Sequence, residues 1–183
     1  THSVAVNCTV PANITIDVRN GAIISQATAT TLTWNGGLDA DSSQHFAGSG
    51  TIALNSVPVV RAEWVAGADL GARLTAAQAL LPATGGTVDA GYFIGVNTVT
   101  SGTVTVGSAT KPVTIILPYG TYLNNTDTPV FQVESGWIIG QGMGAESGTN
   151  GTYINFGSLA NHDAIIYVGS YGGVRDLTIS SGA

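Results

Sequence analysis

Charged side chains are scarce in this sequence. Five of its 183 residues are Lys or Arg and eleven are Asp or Glu, so 9% are charged, against roughly 25% in an average soluble domain. A helical bundle is disfavoured, because its solvated faces need Lys, Glu, Arg and Gln. Intrinsic disorder is disfavoured too, because 44% of the residues are hydrophobic and the net charge is −6. The sequence predicts an all-β chain whose surface consists of Thr, Ser, Asn and Gly.

Lysine, paired cysteines and long apolar runs are also missing. Lys111 is the one lysine and the charge balance is acidic, so we expect neither nucleic acid nor an anionic membrane surface as a partner. No run reaches the roughly 18 apolar residues of a membrane-spanning helix, so no membrane insertion is expected. Cys8 has no partner for an intrachain disulfide, and we interpret it as a small buried hydrophobic residue.

Short segments of alternating apolar and polar residues predict β-strands in residues 1–61. The clearest are centred on Ile16, Trp34 and Ile52, with minor strands between them. These centres recur at one interval, about 18 residues, and such a fixed interval is typical of a solenoid.

Strand-like segments resume after residue 86 and recur roughly every 23 residues, which again indicates a solenoid. The aligned pairs are Ile116 with Ile139, Phe131 with Ile154, and Ile154 with Leu177. This interval leaves no room for crossover helices, so a doubly wound sheet is excluded. A sandwich of hairpins is the alternative, with Asn20-Gly21 and Asn35-Gly36 as candidate turns. The shortage of such turns favours a parallel β-helix.

One segment has helical periodicity and predicts a short amphipathic helix around residues 70–81. Its apolar positions are spaced by four, three and four residues: Leu70, Leu74, Ala77 and Leu81. Asp69 is a suitable N-cap, and Pro82 with Gly85-Gly86 ends the helix. A lone apolar stripe in a β-rich chain indicates a helix that caps an exposed end of the core.

The order of six segments resembles the entry to a known family. The segments are residues 22–50, 61–69 (RAEWVAGAD), 85–88 (GGTV), 117–122 (LPYGTY), 137–142 (WIIGQG) and 174–179 (VRDLTI). Together they resemble the pectate-lyase-like superfamily, the right-handed parallel β-helix of the rhamnogalacturonase, epimerase and phage-tailspike type. Arg73-Leu74 stands where the family has Asp-Ser/Thr. Residues 89–116 separate two motifs that are contiguous in the family, which we interpret as an inserted turn or hairpin.

The resemblance implies a division of the chain into three parts. Residues 1–61 would be a small β-rich N-terminal cap, residues 62–86 a linker with the capping helix, and residues 87–183 the first coils of the β-helix. We expect the β-helix to continue beyond the last residue, because the final segment looks like a coil that has only begun.

By the same resemblance, the chain would be the N-terminal part of a secreted or surface-attached protein that acts on polysaccharide as a lyase or hydrolase. Its partner would be a polysaccharide or cell-surface glycan. The alternative is a non-catalytic glycan-binding or adhesive scaffold, and a third possibility is a folding cap for later coils. Ca²⁺ and a homotrimer are suggested by relatives of this family alone.

No catalytic constellation emerges from the polar residues. Asn161-His162-Asp163 is the most polar cluster, with His162 as a candidate general base, but a solvated turn explains it better. Arg175-Asp176 is interpreted as an ion pair between adjacent coils, and Asp127 and Glu134 as solvated residues. We therefore assign no catalytic, cofactor or metal-binding residue.

Glycines and tryptophans supply the remaining candidates. Residues 140–144 (GQGMG) resemble a dinucleotide-binding loop, but no helix follows, so we interpret them as the corner of a coil. Trp34, Trp64 and Trp137 are candidates for stacking on sugars. Trp34 and Trp137 lie in strand patterns, and we interpret both as core or coil-stacking residues.

Overall fold

The computed structural model describes residues 1–91, 95–100, 102–117, 119–123, 129–142, 151–155 and 166–180. These residues form eighteen β-strands, one α-helix and one turn of 3-10 helix at Ala62–Trp64. The prediction of an all-β chain with one helix is confirmed.

The first eight strands form three small sheets, which the chain visits in rotation. The strands are β1 His2–Val4, β2 Cys8–Val10, β3 Thr15–Val18, β4 Ile24–Gln26, β5 Thr31–Trp34, β6 Gly37–Ala40, β7 Phe46–Gly48 and β8 Thr51–Leu54. Their orders are β1-β4-β7, β2-β5-β8 and β3-β6. His2 pairs with Ile24 and Ile24 pairs with Phe46, so the two pairings of the first sheet recur at the same interval along the chain.

The later strands form two more sheets. They are β9 Val59–Arg61, β10 Gly86–Asp89, β11 Gly95–Thr98, β12 Val104–Val106, β13 Val113–Ile116, β14 Gly120–Leu123, β15 Phe131–Ile139, β16 Thr152–Asn155, β17 Ile166–Arg175 and β18 Thr178–Ser180. One sheet has the order β12-β15-β13-β10-β9, with β17 also paired to β15, and we call it the large sheet. The other has the order β11-β14-β16-β18.

All the strand pairs in the described part of the chain are parallel. The antiparallel contact found there is an isolated bridge between Ser108 and Lys111. The alternative of a hairpin sandwich is therefore wrong. Asn20 and Gly21 do adopt the positive φ angles of a tight turn, 55° and 67°, but they join β3 to β4, which lie in different sheets.

The fixed interval predicted from Ile16, Trp34 and Ile52 is right for one of its two steps, because β5 with Trp34 pairs with β8 with Ile52, and wrong for the other. Ile16 pairs with Leu38, whereas Trp34 pairs with Leu54, so Ile16 and Trp34 belong to different sheets. Strands of two other sheets lie between each strand and its partner. Alternation alone marks all of them as strands and does not say which sheet each one joins.

Of the three strand alignments predicted after residue 86, one is confirmed. Ile116 pairs with Ile139, as the predicted interval requires. Phe131 and Ile154 lie in different sheets, so their alignment is wrong. Ile154 pairs with Ile179 instead of its predicted partner Leu177.

The core of the N-terminal sheets contains an aromatic cluster. Trp34 packs edge to face on Phe46, and Phe46 packs edge to face on Trp64, with ring centroids 6.3 Å apart in both pairs. Trp34 and Trp64 are 1% and 5% exposed. The core position predicted for Trp34 is confirmed, and neither of these two tryptophans is open to a ligand.

The helix α1 spans Leu70–Leu80, one residue shorter than predicted. Asp69 caps it as predicted, because its Oδ1 accepts a hydrogen bond of 2.8 Å from the amide of Ala72. The predicted apolar stripe is buried. The helix contacts β8, an edge strand of the β2-β5-β8 sheet. It also contacts β9, β10 and β12 of the large sheet. It thus covers an edge of the N-terminal sheets and packs on the large sheet at the same time.

Cys8 is exposed, so the prediction that it is buried is wrong. Cys8 and Val10 lie on the same side of β2, because side chains at alternate positions of a strand share a face. However, β2 is an edge strand of its sheet. Cys8 therefore lines an open groove of about 370 Å³, together with the partly exposed Val4, Ile16 and Ile24.

The segment 89–116, interpreted from sequence as an inserted turn or hairpin, is more than that. Its described residues include β11, β12 and β13, and each pairs in parallel with a strand later in the chain. The segment thus contributes strands to both of the larger sheets.

Candidate functional site

Three aromatic side chains are exposed on the outward side of the large sheet. Trp137 of β15 is 47% exposed, and Tyr167 and Tyr171 of the neighbouring strand β17 are 59% and 77% exposed. Trp137 points outward because the next residue, Ile138, points into the core and is fully buried. Tyr167 lies opposite Gln132, which follows the fully buried Phe131. We call Trp137, Tyr167 and Tyr171 the aromatic face.

Trp137 rests on the neighbouring strand. In the strand register it lies opposite Gly173. A Cβ atom at position 173 would overlap Cζ3 of the indole, so the six-membered ring occupies the space that a side chain there would fill. The six-membered ring thus lies against β17, while about half of the residue is exposed to solvent. The result is a flat apolar surface whose orientation is fixed by the sheet.

Neutral polar side chains surround the aromatic face. Gln132 lies opposite Tyr167 on one side and opposite Thr105 on the other. Thr114 lies opposite Trp137. Amide and hydroxyl groups both donate and accept hydrogen bonds, so this border suits a ligand rich in hydroxyl groups.

The charged residues on this side of the sheet include two pairs of opposite sign. Arg61 of β9 lies opposite Asp89 of β10. Nε of Arg175 is 3.7 Å from Oδ2 of Asp176. The ion pair predicted for Arg175 is therefore present, but it joins neighbours in the chain and not adjacent coils. Glu134 is exposed, as predicted.

Trp137 was interpreted as a core residue or one that stacks on a neighbouring strand, and the second alternative is found: its ring lies over Gly173 of β17. Tyr167 and Tyr171 were not singled out by sequence reasoning. Their spacing alone gives no reliable signal, because the register of β17 against β15 shifts between Val168 and Tyr171.

A buried polar network lies in the N-terminal sheets, where no candidate was expected. His45 is fully buried, with Nδ1 2.9 Å from the carbonyl oxygen of Ala22 and Nε2 2.9 Å from Oδ1 of Asp41. Asp41 also accepts hydrogen bonds from the backbone amides of Ser43 and Asn20. These bonds, that of Ser43 first, hold the pKa of the Asp41 carboxyl well below its usual range. Because the ring of His45 is inaccessible, we interpret the network as structural.

Two of the polar candidates, the cluster at residues 161–163 and Asp127, lie outside the described residues, as do Met143 and Gly144. The described part of the GQGMG segment supports its interpretation as a corner. A Cβ at Gly140 would overlap the carbonyl oxygen of Asp176, so the glycine permits a close approach of two chain segments.

Three further findings limit the functions that can be assigned to the chain. Within the described ranges, no three His, Cys, Asp or Glu side chains are placed to hold a metal ion. That same part of the chain has no helix with the length and apolar character needed to cross a bilayer. No family model matches the chain, and no curated protein or solved structure matches it. Function is therefore inferred from the geometry of the aromatic face.

Proposed function

We propose that the chain binds polysaccharide and that the aromatic face is its binding surface. The observation that carries this proposal is the half-exposed indole of Trp137, seated over Gly173 of β17, the strand that also carries the exposed Tyr167 and Tyr171. Tyr and Trp are enriched at binding interfaces, because each combines an apolar ring with a polar group. Sugar rings combine apolar C–H faces, which stack on aromatic rings, with hydroxyl groups that need donors and acceptors such as Gln132 and Thr114.

We also propose that the sheets are successive coils of a right-handed parallel β-helix. The chain visits the three N-terminal sheets in rotation, and one full rotation separates Cys8 from its partner Leu32 and Trp34 from its partner Leu54. Connections between parallel strands of one sheet are right-handed in nearly all proteins. This is the architecture of the pectate-lyase-like superfamily, which the sequence motifs resemble, and it suits a secreted or surface-attached protein.

Binding without turnover is the form of the proposal that the aromatic face favours. Glycoside hydrolysis by the common route needs two carboxyl groups that flank the scissile bond. On this side of the sheet, Asp89 lies opposite Arg61 and Asp176 lies beside Arg175. The lyase or hydrolase activity implied by the resemblance is a separate proposal. Incubation with polysaccharides would support it if new reducing ends or unsaturated products formed.

Affinity gel electrophoresis tests the binding proposal. The chain is run through native gels that contain soluble polysaccharides, and we expect at least one of them to retard it. Trp137→Ala should weaken this retardation about tenfold, which corresponds to about 1.4 kcal/mol of binding free energy. Tyr119→Ala is the matched control, because Tyr119 is 48% exposed but precedes β14 in the other sheet.

Two outcomes would contradict the proposal. One is that none of the polysaccharides retards the chain. The other is that Trp137→Ala, shown to be folded by circular dichroism, is retarded as strongly as wild type.

A further inference from the structure

Two of the five cationic side chains of this chain already contact acceptor groups within the fold. Arg19 contacts Asp17 and Asp39, both at 2.5 Å. Nζ of Lys111 donates hydrogen bonds of 2.8 and 2.9 Å to the carbonyl oxygens of Gln78 and Leu81. These two residues therefore offer little charge to a ligand.

The other three cations lead to the same conclusion for the aromatic face. Arg175 is beside Asp176, and Arg61 lies opposite Asp89 in the register. Arg73 belongs to α1 and not to the strands of the large sheet. These are all the Lys and Arg residues of the sequence, which number five. The strands that carry the aromatic face, β15 and β17, therefore contribute one guanidinium group, that of Arg175, and a carboxylate lies 3.7 Å from it.

Negative charge, in contrast, is present on the strand that carries Trp137. Glu134 is exposed on β15, the strand that carries Trp137, and the chain as a whole has a net charge of −6. A polyanion approaching this surface meets repulsion, and repulsion is strongest at low salt. Calcium cannot reverse the sign through the described residues, which contain no cluster of acidic side chains placed to bind it.

We infer that the aromatic face selects neutral polysaccharides and discriminates against polyanionic ones such as polyuronates. This inference rests on the proposed function and names its ligand class. A neutral sugar needs the indole and phenol rings for stacking and the amide and hydroxyl groups of Gln132, Thr105 and Thr114 for hydrogen bonds. A uronate adds a carboxylate at every residue, whereas this surface offers one guanidinium group, that of Arg175, which already has Asp176 beside it.

The test compares polysaccharides whose main difference is charge. Hydroxyethylcellulose and carboxymethylcellulose share a backbone, and so do methyl-esterified and de-esterified polygalacturonan. Galactomannan and alginate extend the neutral and anionic groups. Each is included in native gels at low and at high salt. We expect retardation by neutral members at both salt concentrations and at least tenfold weaker retardation by their anionic partners.

A charge reversal sharpens the test. Glu134→Lys places an ammonium group beside the aromatic face, and we expect it to bind anionic polysaccharides more tightly at low salt while its binding of neutral ones stays within twofold of wild type. Glu134→Gln is the matched control and should bind anionic polymers less tightly than Glu134→Lys does.

The outcomes separate this inference from the proposed function. Equal or stronger retardation by the anionic member of each pair would overturn the inference and leave polysaccharide binding standing. Retardation by no polymer would overturn both.

Discussion

Both ring nitrogens of His45 face hydrogen-bond acceptors, the carbonyl oxygen of Ala22 and a carboxylate oxygen of Asp41. The ring is fully buried, so these two contacts satisfy its polar atoms within the fold. This pair links the turn after β6 to the start of β7.

Acid is expected to destabilise the fold through Asp41. Its pKa in the folded chain lies below the value of about 3.9 for an unfolded aspartate. The ionised carboxylate therefore contributes its full stabilisation above that pH, and the contribution is lost as the pH falls toward the folded-state pKa. Asp41→Asn should have a lower thermal midpoint at neutral pH, and should lose less stability than wild type between about pH 5 and about pH 2.

Asp39→Asn is the control for this prediction. Asp39 forms an ion pair with Arg19 but its side chain is 61% exposed, so the pair contributes at most about 1 kcal/mol. If thermal melts showed the same change in pH dependence for both variants, the role assigned to Asp41 would be wrong.

Gly136 is a position where a larger residue does not fit. Its φ is 125°, and a Cβ there would overlap the carbonyl oxygen of Val113 in the neighbouring strand. Gly136→Ala is expected to lower the free energy of unfolding by about 3 kcal/mol or more, because a backbone atom cannot move aside as a side chain can. Urea denaturation measures the loss.

Gly102→Ala separates crowding from backbone strain. Gly102 has a φ of 100°, but nothing lies within 4 Å of a Cβ built there. We expect it to lose only the strain of a positive φ, about 1–2 kcal/mol. Equal losses for the two variants would show that the contact with Val113 is unimportant.

Residue roles that depend on the local chain were predictable from sequence, and those that depend on another strand were not. The N-cap at Asp69 involves the nearby amide of Ala72. Cys8 is exposed because β2 is an edge strand of its sheet. Trp137 is exposed because its ring lies over Gly173 on the outer side of the large sheet. Those facts arise from long-range pairing, which alternation does not encode.

At the scale of elements, α1 is held at both ends by residues that follow it in the chain. Oδ2 of Asp69 accepts hydrogen bonds from the amide and the hydroxyl of Thr100, at 2.5 and 3.0 Å. At the other end, Lys111 donates to the carbonyl oxygens of Gln78 and Leu81. A cation at this end also interacts favourably with the helix dipole.

Removing the Lys111 ammonium should therefore loosen the helix. Burial lowers the pKa of Lys111, which means that desolvation offsets part of its hydrogen-bond energy. We expect Lys111→Met, which keeps an apolar stem, to lower the free energy of unfolding by about 1 kcal/mol in urea denaturation. Arg175→Met is the control: this exposed residue should change stability by less than about 0.5 kcal/mol. The prediction is wrong if the two variants lose the same amount.

Strand β17 permits a test of the aromatic face that leaves its aromatic residues in place. A Cβ at Gly173 would displace the far end of the Trp137 side chain, which can move, so Gly173→Ala should fold with a melting temperature within a few degrees of wild type. Its retardation by polysaccharide should weaken about tenfold, because the indole loses its orientation.

Gly172→Ala provides the matched control. Its Cβ would point inward and approach Cγ1 of Val133 at 2.5 Å. We expect this variant to lose stability by crowding the core and to bind polysaccharide as wild type does at a temperature where it is folded. The opposite pattern, in which Gly172→Ala loses binding and Gly173→Ala keeps it, would contradict the geometry of the aromatic face.

The helix and most strands were predictable because their periodicities are local. The strands that sequence reasoning missed are β1, β2, β9, β11 and β14. Strands β1, β2 and β9 are only three residues long, and β11 and β14 each begin with a glycine, which is depleted in strands. Such strands are defined by the hydrogen bonds of their neighbours more than by their own composition.

For the whole molecule, the sequence predicted all-β structure with parallel strands but not the order of the sheets. The paired residues Trp34 and Leu54 are much closer along the chain than the paired residues Phe131 and Ile166. Connections of different length change the interval without changing the pairing, so a fixed period finds some pairs and misses others. The low charge content matches a ligand-binding surface built from aromatic, amide and hydroxyl groups.

The central claim is that polysaccharide lies on Trp137, and acrylamide quenching of tryptophan fluorescence tests it most directly. Of the three tryptophans, Trp34 and Trp64 are buried, so the quencher reaches Trp137. We predict that a polysaccharide which retards the chain in gels also lowers the quenching constant toward the value for buried tryptophan. An unchanged quenching constant at a polysaccharide concentration that saturates retardation would contradict the claim.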